Sequence, residues 1–168
     1  NTTCRCAGRG ESSVHWDDWM KMTDRLYPAL AVDDAHRPED DPDRRDTYGG
    51  WTMARIKDAS PQSIIDALES GAAYSSTGPE IHDIRLRRVD DGDDDNPIVE
   101  ATVRSSEAQC VSAVCDAFGI EYREPGRTFE SAVFNLRPSA RWARFEIVAP
   151  DGTKAWSNPF DLTIVERT

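Results

Sequence analysis

Two side chains that commonly bind metal ions lie two residues apart in the segment 29–36, which reads Ala-Leu-Ala-Val-Asp-Asp-Ala-His. A short apolar run ends there in two acids and a histidine, which is typical of a buried strand that delivers ligands at its C-terminal end. Asp34 offers a hard carboxylate oxygen and His36 a neutral imidazole nitrogen. The spacing indicates a site for a divalent metal, although Asp-x-His also arises by chance in acidic chains.

Four further residues could line such a site. His15 falls on a predicted helix next to an apolar face, where a histidine is more often structural. Ser76, Thr77 and Gly78 form a hydroxyl-rich turn whose backbone amides could bind phosphate. The turn lacks the spacing of a P-loop and opens no predicted helix, so turn chemistry alone also explains it.

Three other features resemble ligand sets but have simpler explanations. Asp33 would point away from its neighbour on an extended strand, and we expect it to bond to the backbone or to an arginine. The acidic run at residues 90–95 lacks the closing glutamate and flanking helices of an EF-hand, which favours a solvated hairpin tip. The cysteines miss the usual zinc spacing and are too few for a disulfide scaffold, so free thiols are expected at Cys4, Cys6, Cys110 and Cys115.

The charge balance narrows the classes of function. The chain of 168 residues carries 31 acidic and 20 basic side chains, a net charge of −11. Such a charge argues against non-specific binding to nucleic acid and against binding to an anionic membrane surface. No apolar run approaches the roughly 20 residues of a membrane-spanning helix. We therefore expect a soluble cytoplasmic protein that binds neither nucleic acid nor a membrane.

The first predicted helix leads into the strand that carries the candidate ligands. Ser13 is expected to cap this helix and Pro28 to end it, and the strand then occupies residues 29–33. Residues 37–48 follow as a charged loop that is broken by prolines. The apolar face of the helix comprises Trp16, Trp19, Met20 and Leu26.

The second predicted helix is marked at both of its ends. Ser60 is the expected N-cap, Pro61 takes the first helical position and Gly71 stops the helix. Strands are predicted on either side of it, at residues 51–57 and 72–76. The buried stripe of this helix is predicted to be Ile64, Ile65 and Leu68.

The second half of the chain changes to the period of a β-strand. From Ile81 onward apolar residues alternate with polar ones, and turn signals rich in Asp, Pro and Gly separate the runs. Several short alternating strands with such turns predict an antiparallel β-sandwich. The predicted class is therefore α+β, with an α/β unit over residues 1–80 and a β-sandwich-like module over residues 81–168.

Three stretches of the first half carry a family resemblance when they are taken in order. Residues 14–17 (Val-His-Trp-Asp) lead to 31–36, then come 49–53 (Gly-Gly-Trp-Thr-Met) and 67–81, which includes Ala-Leu-Glu-Ser-Gly and Tyr-Ser-Ser-Thr-Gly-Pro-Glu-Ile. Together they resemble the C-terminal half of metal-dependent phosphoesterases of the polymerase and histidinol phosphatase (PHP) family. The β-rich remainder is similar to the C-terminal module appended in some members.

The resemblance implies that the first domain supplies the terminal βα elements of a distorted (β/α)7 barrel. The family's active site is a cluster of divalent metal ions, and its last motif, Asp-x-His, matches Asp34 and His36 as ligands of Mn, Zn or Fe. The implied activity is hydrolysis of a small phosphate ester by metal-activated water. The family's opening His-x-His and its middle ligands have no counterpart here, so the chain corresponds to a C-terminal portion of such a hydrolase without a complete catalytic set.

A different class of function is also open. The β-sandwich could be a non-catalytic binding or structural module, with Trp142 and Trp156 in or near its core and a vestigial Asp-x-His. Under the first interpretation, the uncovered sheet edges and apolar helix faces of an incomplete barrel predict self-association.

Overall fold

The computed structural model describes residues 11–36, 47–89, 98–137 and 140–165. The chain divides into two compact units, residues 1–77 and residues 78–168. All the strand pairs described within each unit are antiparallel. The predicted α+β class is confirmed, and the strands are mostly in antiparallel sheets.

The first unit contains both described helices and a short antiparallel strand pair. In the pair, Trp51 lies opposite Ser76 and Ala54 lies opposite Ala73. None of the helices in the described ranges is long and apolar enough to cross a membrane. The elements in chain order are α1 (Ser13–Thr23), β1 (Trp51–Ala54), α2 (Pro61–Glu69) and β2 (Ala73–Ser76).

Local sequence signals set the ends of α2. The Ser60 hydroxyl accepts a hydrogen bond from the backbone N–H of Ser63 at 3.2 Å, as an N-cap does, and Pro61 takes the first position. Gly71 follows the helix with φ of 73°, the left-handed conformation that glycine adopts without strain. The predicted ends of α2 are confirmed.

The predicted buried stripe of α2 is wrong. Ile64 and Ile65 are 42% and 46% exposed, and Ala67 is the only residue of this helix that is buried. The helix has the apolar periodicity of a packed helix, but the described residues do not cover that face. Periodicity alone does not determine which face acquires a neighbour.

Helix α1 begins and ends at other residues than predicted. Ser12 is the N-cap residue, and the Ser13 hydroxyl donates instead to the carboxylate of Glu11. The helix ends at Thr23 because Asp24 turns into the left-handed region, with φ of 53°, well before the predicted stop. Of its predicted apolar face, Met20 is buried, Trp16 is half-buried, and Trp19 and Leu26 are exposed.

The strand predicted at residues 29–33 does not form. This segment is irregular, and side chains from β1 and β2 satisfy its backbone. The Thr52 hydroxyl donates to the carbonyl of Ala31 at 3.1 Å and accepts from its N–H at 3.0 Å, and the Ser75 hydroxyl donates to the carbonyl of Ala29 at 3.3 Å. Side-chain bonds from residues distant in sequence here take the place of a strand ladder.

The second unit consists of two antiparallel sheets. One has the order β3-β4-β7, and the other includes β9-β8-β5-β6 with β10 also paired to β8. The strands in chain order are β3 (Ile81–Val89), β4 (Ile98–Ala108), β5 (Cys110–Cys115), β6 (Gly119–Tyr122), β7 (Phe129–Leu136), β8 (Trp142–Val148), β9 (Lys154–Ser157) and β10 (Phe160–Asp161).

The core of the second unit lies between its two sheets. On β4 and β7 buried residues alternate with more exposed ones, as half-buried strands require. The ring centroid of Phe134 lies 5.9 Å from that of Phe145 on the other sheet. The ring centroid of Phe160 lies 6.1 Å from that of Phe145. Trp142 is buried as predicted, and Trp156 is half-buried with its indole N–H bonded to Glu146.

Candidate metal site

Asp34 and His36 lie side by side at the end of the irregular segment. Asp34 has φ of 57°, a left-handed conformation that turns the chain and that aspartate tolerates better than most residues. His36 Nδ1 lies 2.5 Å from the carbonyl oxygen of Asp34, and its Nε2 lies 3.9 Å from Asp34 Oδ1. The His36 side chain is 73% exposed and the Asp34 side chain is 52% exposed, so an ion from solution can reach both.

The hydrogen bond of His36 selects its tautomer. A carbonyl oxygen can only accept, so Nδ1 must carry the proton that it donates. In the neutral imidazole the lone pair then resides on Nε2, which lies 3.9 Å from Asp34 Oδ1. Histidine ligands of metal ions are oriented in this way by a bond from their other ring nitrogen.

The separation of the two donor atoms suits a shared ion after a small adjustment. Two ligand bonds of about 2.1 Å that meet at a tetrahedral angle place their donor atoms about 3.4 Å apart. Asp34 Oδ1 and His36 Nε2 stand 3.9 Å apart, somewhat more than that distance. The two atoms are therefore close enough to be considered as candidate ligands of one ion.

Asp33 binds a loop rather than joining the pair. Its carboxylate accepts hydrogen bonds from the backbone N–H groups of Tyr48, Gly49 and Gly50, at 2.5, 2.8 and 2.8 Å. Tyr48 has φ of 57°, and consecutive N–H groups near a left-handed residue form an anion-binding concavity. The expectation that Asp33 bonds to the backbone is confirmed.

Further ligands are not gathered around the pair in the part of the chain that the structure describes. No group of three or more His, Cys, Asp or Glu side chains suited to a metal is found there. His15 lies exposed on α1. His82 stands on β3 with Nε2 3.4 Å from Glu80, an exposed ion pair. The residues described therefore supply two ligands, while even a single zinc normally takes three protein groups.

The hydroxyl-rich turn is explained by packing. Ser76 is fully buried at the end of β2, Thr77 is half-buried and Gly78 is exposed. A side chain at Gly78 would put its Cβ 2.8 Å from the Cβ of Thr153, closer than real contacts allow. The glycine is required by this close approach, and its proposed role in binding phosphate stays a prediction.

An open groove in the second unit is a feature that the sequence did not single out. Its volume is about 820 Å³. The sequence feature that marks the groove is the turn Pro125-Gly126, which lies between Arg123 and Arg127. The Arg127 N–H donates to the Glu124 carbonyl at 3.2 Å, and Gly126 has φ of 69°, as a type II turn requires. Its lining includes Gln109, Arg123, Pro125, Arg127, Thr128 and Pro150.

The groove loop is held by its own side chains. Arg123 pairs with Glu121 through two bonds of 2.5 and 3.2 Å, and the Tyr122 hydroxyl donates to Glu124 at 2.8 Å, which raises the pKa of Tyr122. Across the described ranges, Arg127 makes no ion pair. A positive charge at a groove of an acidic protein favours an anionic ligand.

The cysteines that the structure describes are inert thiols. Cys110 and Cys115 are free and buried on β5, as expected, whereas Cys4 and Cys6 lie outside the described residues. Burial raises the pKa of Cys110, and burial together with the nearby Asp116 raises that of Cys115 to about 12. The acidic run 90–95 also lies outside the described residues.

Comparison of the chain with protein-family models, with curated proteins and with solved structures gave no match.

Proposed function

We propose that this chain carries the C-terminal part of a PHP-like metal-dependent phosphoesterase. In this proposal Asp34 and His36 are two ligands of a divalent ion, Mn, Zn or Fe, and residues 1–80 are the closing βα elements of a distorted (β/α)7 barrel. The substrate is a small phosphate ester and the location is cytoplasmic, and the net charge of −11 argues against nucleic acid as a partner.

The observation that carries the proposal is the geometry of the pair. Nδ1 of His36 is bonded to the Asp34 carbonyl, which leaves the lone pair on Nε2, and Nε2 lies 3.9 Å from Asp34 Oδ1. An anionic oxygen and a nitrogen lone pair repel each other weakly, and a cation between them turns that repulsion into two favourable contacts. The Asp-x-His motif of the resemblance thus coincides with two neighbouring donor atoms.

The residues of this chain would bind and orient in such a site. A bound divalent ion would supply a nucleophilic hydroxide near neutral pH and would neutralise charge on the phosphate. Asp34 would lower the net charge of the ion, and His36 would offer Nε2 as a second ligand. The remaining ligands come from outside the described residues in this proposal, because two protein groups do not hold a catalytic ion.

Metal binding by the purified full chain tests the proposal. We expect Mn²⁺, Zn²⁺ or Co²⁺ to bind to the wild type, and we expect Asp34→Asn and His36→Ala each to abolish binding, measured by isothermal titration calorimetry. The matched control is His82→Ala, because His82 is also an exposed histidine beside a carboxylate but lies on β3. If the wild type binds none of these ions, or if all three variants bind them equally, the metal site is rejected.

A second candidate function rests on the groove. Here the second unit would be a non-catalytic binding module that takes a phosphate- or carboxylate-bearing ligand, with Arg127 as the anion contact and Asp-x-His vestigial. The test is an NMR titration with inorganic phosphate. Arg127→Ala should remove the shifts of the groove residues, and Arg104→Ala, which changes an exposed arginine on β4, should leave them. Identical shifts in the two variants would rule out this function.

A further inference from the structure

The carboxylate of Asp33 joins two segments that are distant in sequence. It precedes the candidate ligands directly and binds the N–H groups of residues 48–50, which lie 15 to 17 positions along the chain. Asp33 therefore links the segment that leads into Asp34 and His36 to residues 48–50. Hydrogen bonds to a charged acceptor are about twice as strong as neutral ones.

The segment that precedes Asp33 is held by other hydrogen bonds than those of the Asp33 carboxylate. Thr52 binds both the N–H and the carbonyl of Ala31, and Ser75 binds the carbonyl of Ala29. These bonds fix the segment before Asp33 and do not reach residues 48–50. The direction in which the chain leaves Asp33 is set by the carboxylate and by the left-handed turn at Asp34.

We propose that Asp33 is the positioning residue of the metal pair: by holding the amides of residues 48–50 it fixes the backbone from which Asp34 and His36 would bind one ion. This inference rests on the proposed function, since it assigns Asp33 a task at the same site. Asp33 itself does not bind the ion, because its two oxygens are directed at backbone N–H groups.

The substitutions Asp33→Asn and Asp33→Ala remove, in part and completely, the hydrogen bonds of Asp33 to residues 48–50. An asparagine carbonyl can still accept from Gly49 and Gly50, where Oδ1 stood, but its amide group would face the N–H of Tyr48 in place of Oδ2. Alanine removes all three bonds. Loss of a group that orients metal ligands typically weakens metal binding about 10- to 100-fold.

The experiment measures Co²⁺ affinity and the visible absorption of bound Co²⁺ in the full chain. We expect binding about 10-fold weaker in Asp33→Asn and weaker still in Asp33→Ala, with an altered absorption band at saturation. The control is Thr52→Val, which removes the hydrogen bonds to Ala31 and leaves those of Asp33 intact. We expect its Co²⁺ affinity to stay within about twofold of the wild type. Thermal melting of each variant shows that it is folded.

The outcomes separate this inference from the proposed function. If the wild type binds Co²⁺ and Asp34→Asn does not, while Asp33→Asn binds as the wild type does, Asp33 has no positioning role and the metal site stands. Equal weakening in Asp33→Asn and Thr52→Val also overturns the positioning role, because any loss of stability would then suffice. If the wild type does not bind Co²⁺, the proposed function fails and the role of Asp33 at that site fails with it.

Discussion

At the scale of single residues, short polar side chains organise the region around the candidate ligands. Thr52 and Ser75 satisfy backbone groups that a neighbouring strand would otherwise pair, and Asp33 binds three consecutive N–H groups. Such bonds depend on one functional group each, whereas a strand ladder spreads its bonds over many residues. Single substitutions in this region should therefore have specific, local effects.

Carboxylates whose pKa is lowered make the stability of the fold depend on pH. Asp151 accepts from the hydroxyl and the N–H of Thr153, and Glu100 accepts from Arg87, and these bonds lower both pKa values. A carboxyl with a lowered folded-state pKa stabilises the fold above its unfolded value, near pH 4, and loses that contribution as the pH falls further. Below about pH 4 the free energy of unfolding should therefore decrease.

The variant Asp151→Asn isolates this effect from the self-repulsion of a chain with net charge −11, which acid relieves. Urea unfolding at pH 7 and at pH 3 should show a smaller difference for Asp151→Asn than for the wild type. The control is Glu130→Gln, which changes an exposed carboxylate on β7. A pH dependence that is unchanged in Asp151→Asn would contradict the assignment.

At the scale of elements, the sequence predicts what is encoded locally. The ends of α2 follow from Ser60, Pro61 and Gly71, because capping needs only a side chain and the adjacent backbone. The antiparallel strands of the second half follow from alternation, which reports burial on one face. The burial of Ile64 and Ile65 was predicted wrongly because the partner of a helix face is a tertiary property.

The segment 29–33 shows the same limit for the candidate site. Its composition is that of a buried strand, yet Leu30 and Val32 are exposed and the backbone bonds to Thr52 and Ser75. The hydrogen-bond partners that replace a strand neighbour lie 21 or more residues away, so no local sequence pattern predicts them. The Asp34–His36 pair was identified from residue type and spacing, whereas its orientation by the Asp34 carbonyl required the structure.

Gly78 provides a test of close packing between elements of the second unit. The Thr153 side chain cannot easily yield, because its hydroxyl donates to Asp151 at 2.6 Å, so a Cβ at residue 78 meets a fixed neighbour. Gly78→Ala should lower the free energy of unfolding by about 1–3 kcal/mol. Chemical denaturation measures the change.

The control for this prediction is another glycine of the same unit. A Cβ at Gly119 would have only the carbonyl of Ala113 as a near neighbour, at an ordinary 3.8 Å. Gly119→Ala should therefore be neutral or slightly stabilising, through the lower entropy of its unfolded chain. Adding Thr153→Ala to Gly78→Ala should recover part of the loss, and full additivity of the two changes would mean that no clash exists.

At the scale of the whole molecule, exposed apolar side chains are concentrated in the first unit. Among the described residues, two large exposed hydrophobics, Val133 and Ile164, belong to the second unit. Those of the first unit are Val14, Trp19, Met22, Leu26, Leu30, Val32, Tyr48, Trp51, Met53, Ile56, Ile64 and Ile65. Surfaces of this kind are usually covered by a partner.

We therefore predict that the isolated chain self-associates through its first unit. Light scattering after size exclusion should give a mass above that of one chain, which decreases on dilution. The double substitution Ile64→Glu with Ile65→Glu on α2 should reduce association, while Val133→Glu, on β7 of the second unit, should not. A wild type that stays monomeric throughout the dilution series would refute the prediction.

The distribution of the tryptophans has a spectroscopic consequence. Trp16, Trp19 and Trp51 belong to the first unit, where Trp19 and Trp51 are exposed, while the buried Trp142 and half-buried Trp156 belong to the second. Indoles in water emit at longer wavelength than indoles in an apolar core. The long-wavelength edge of the emission band therefore reports mainly on the first unit and the short-wavelength edge mainly on the second. A single fluorescence titration with denaturant can thus follow the unfolding of each unit separately and show whether the two unfold as one cooperative body.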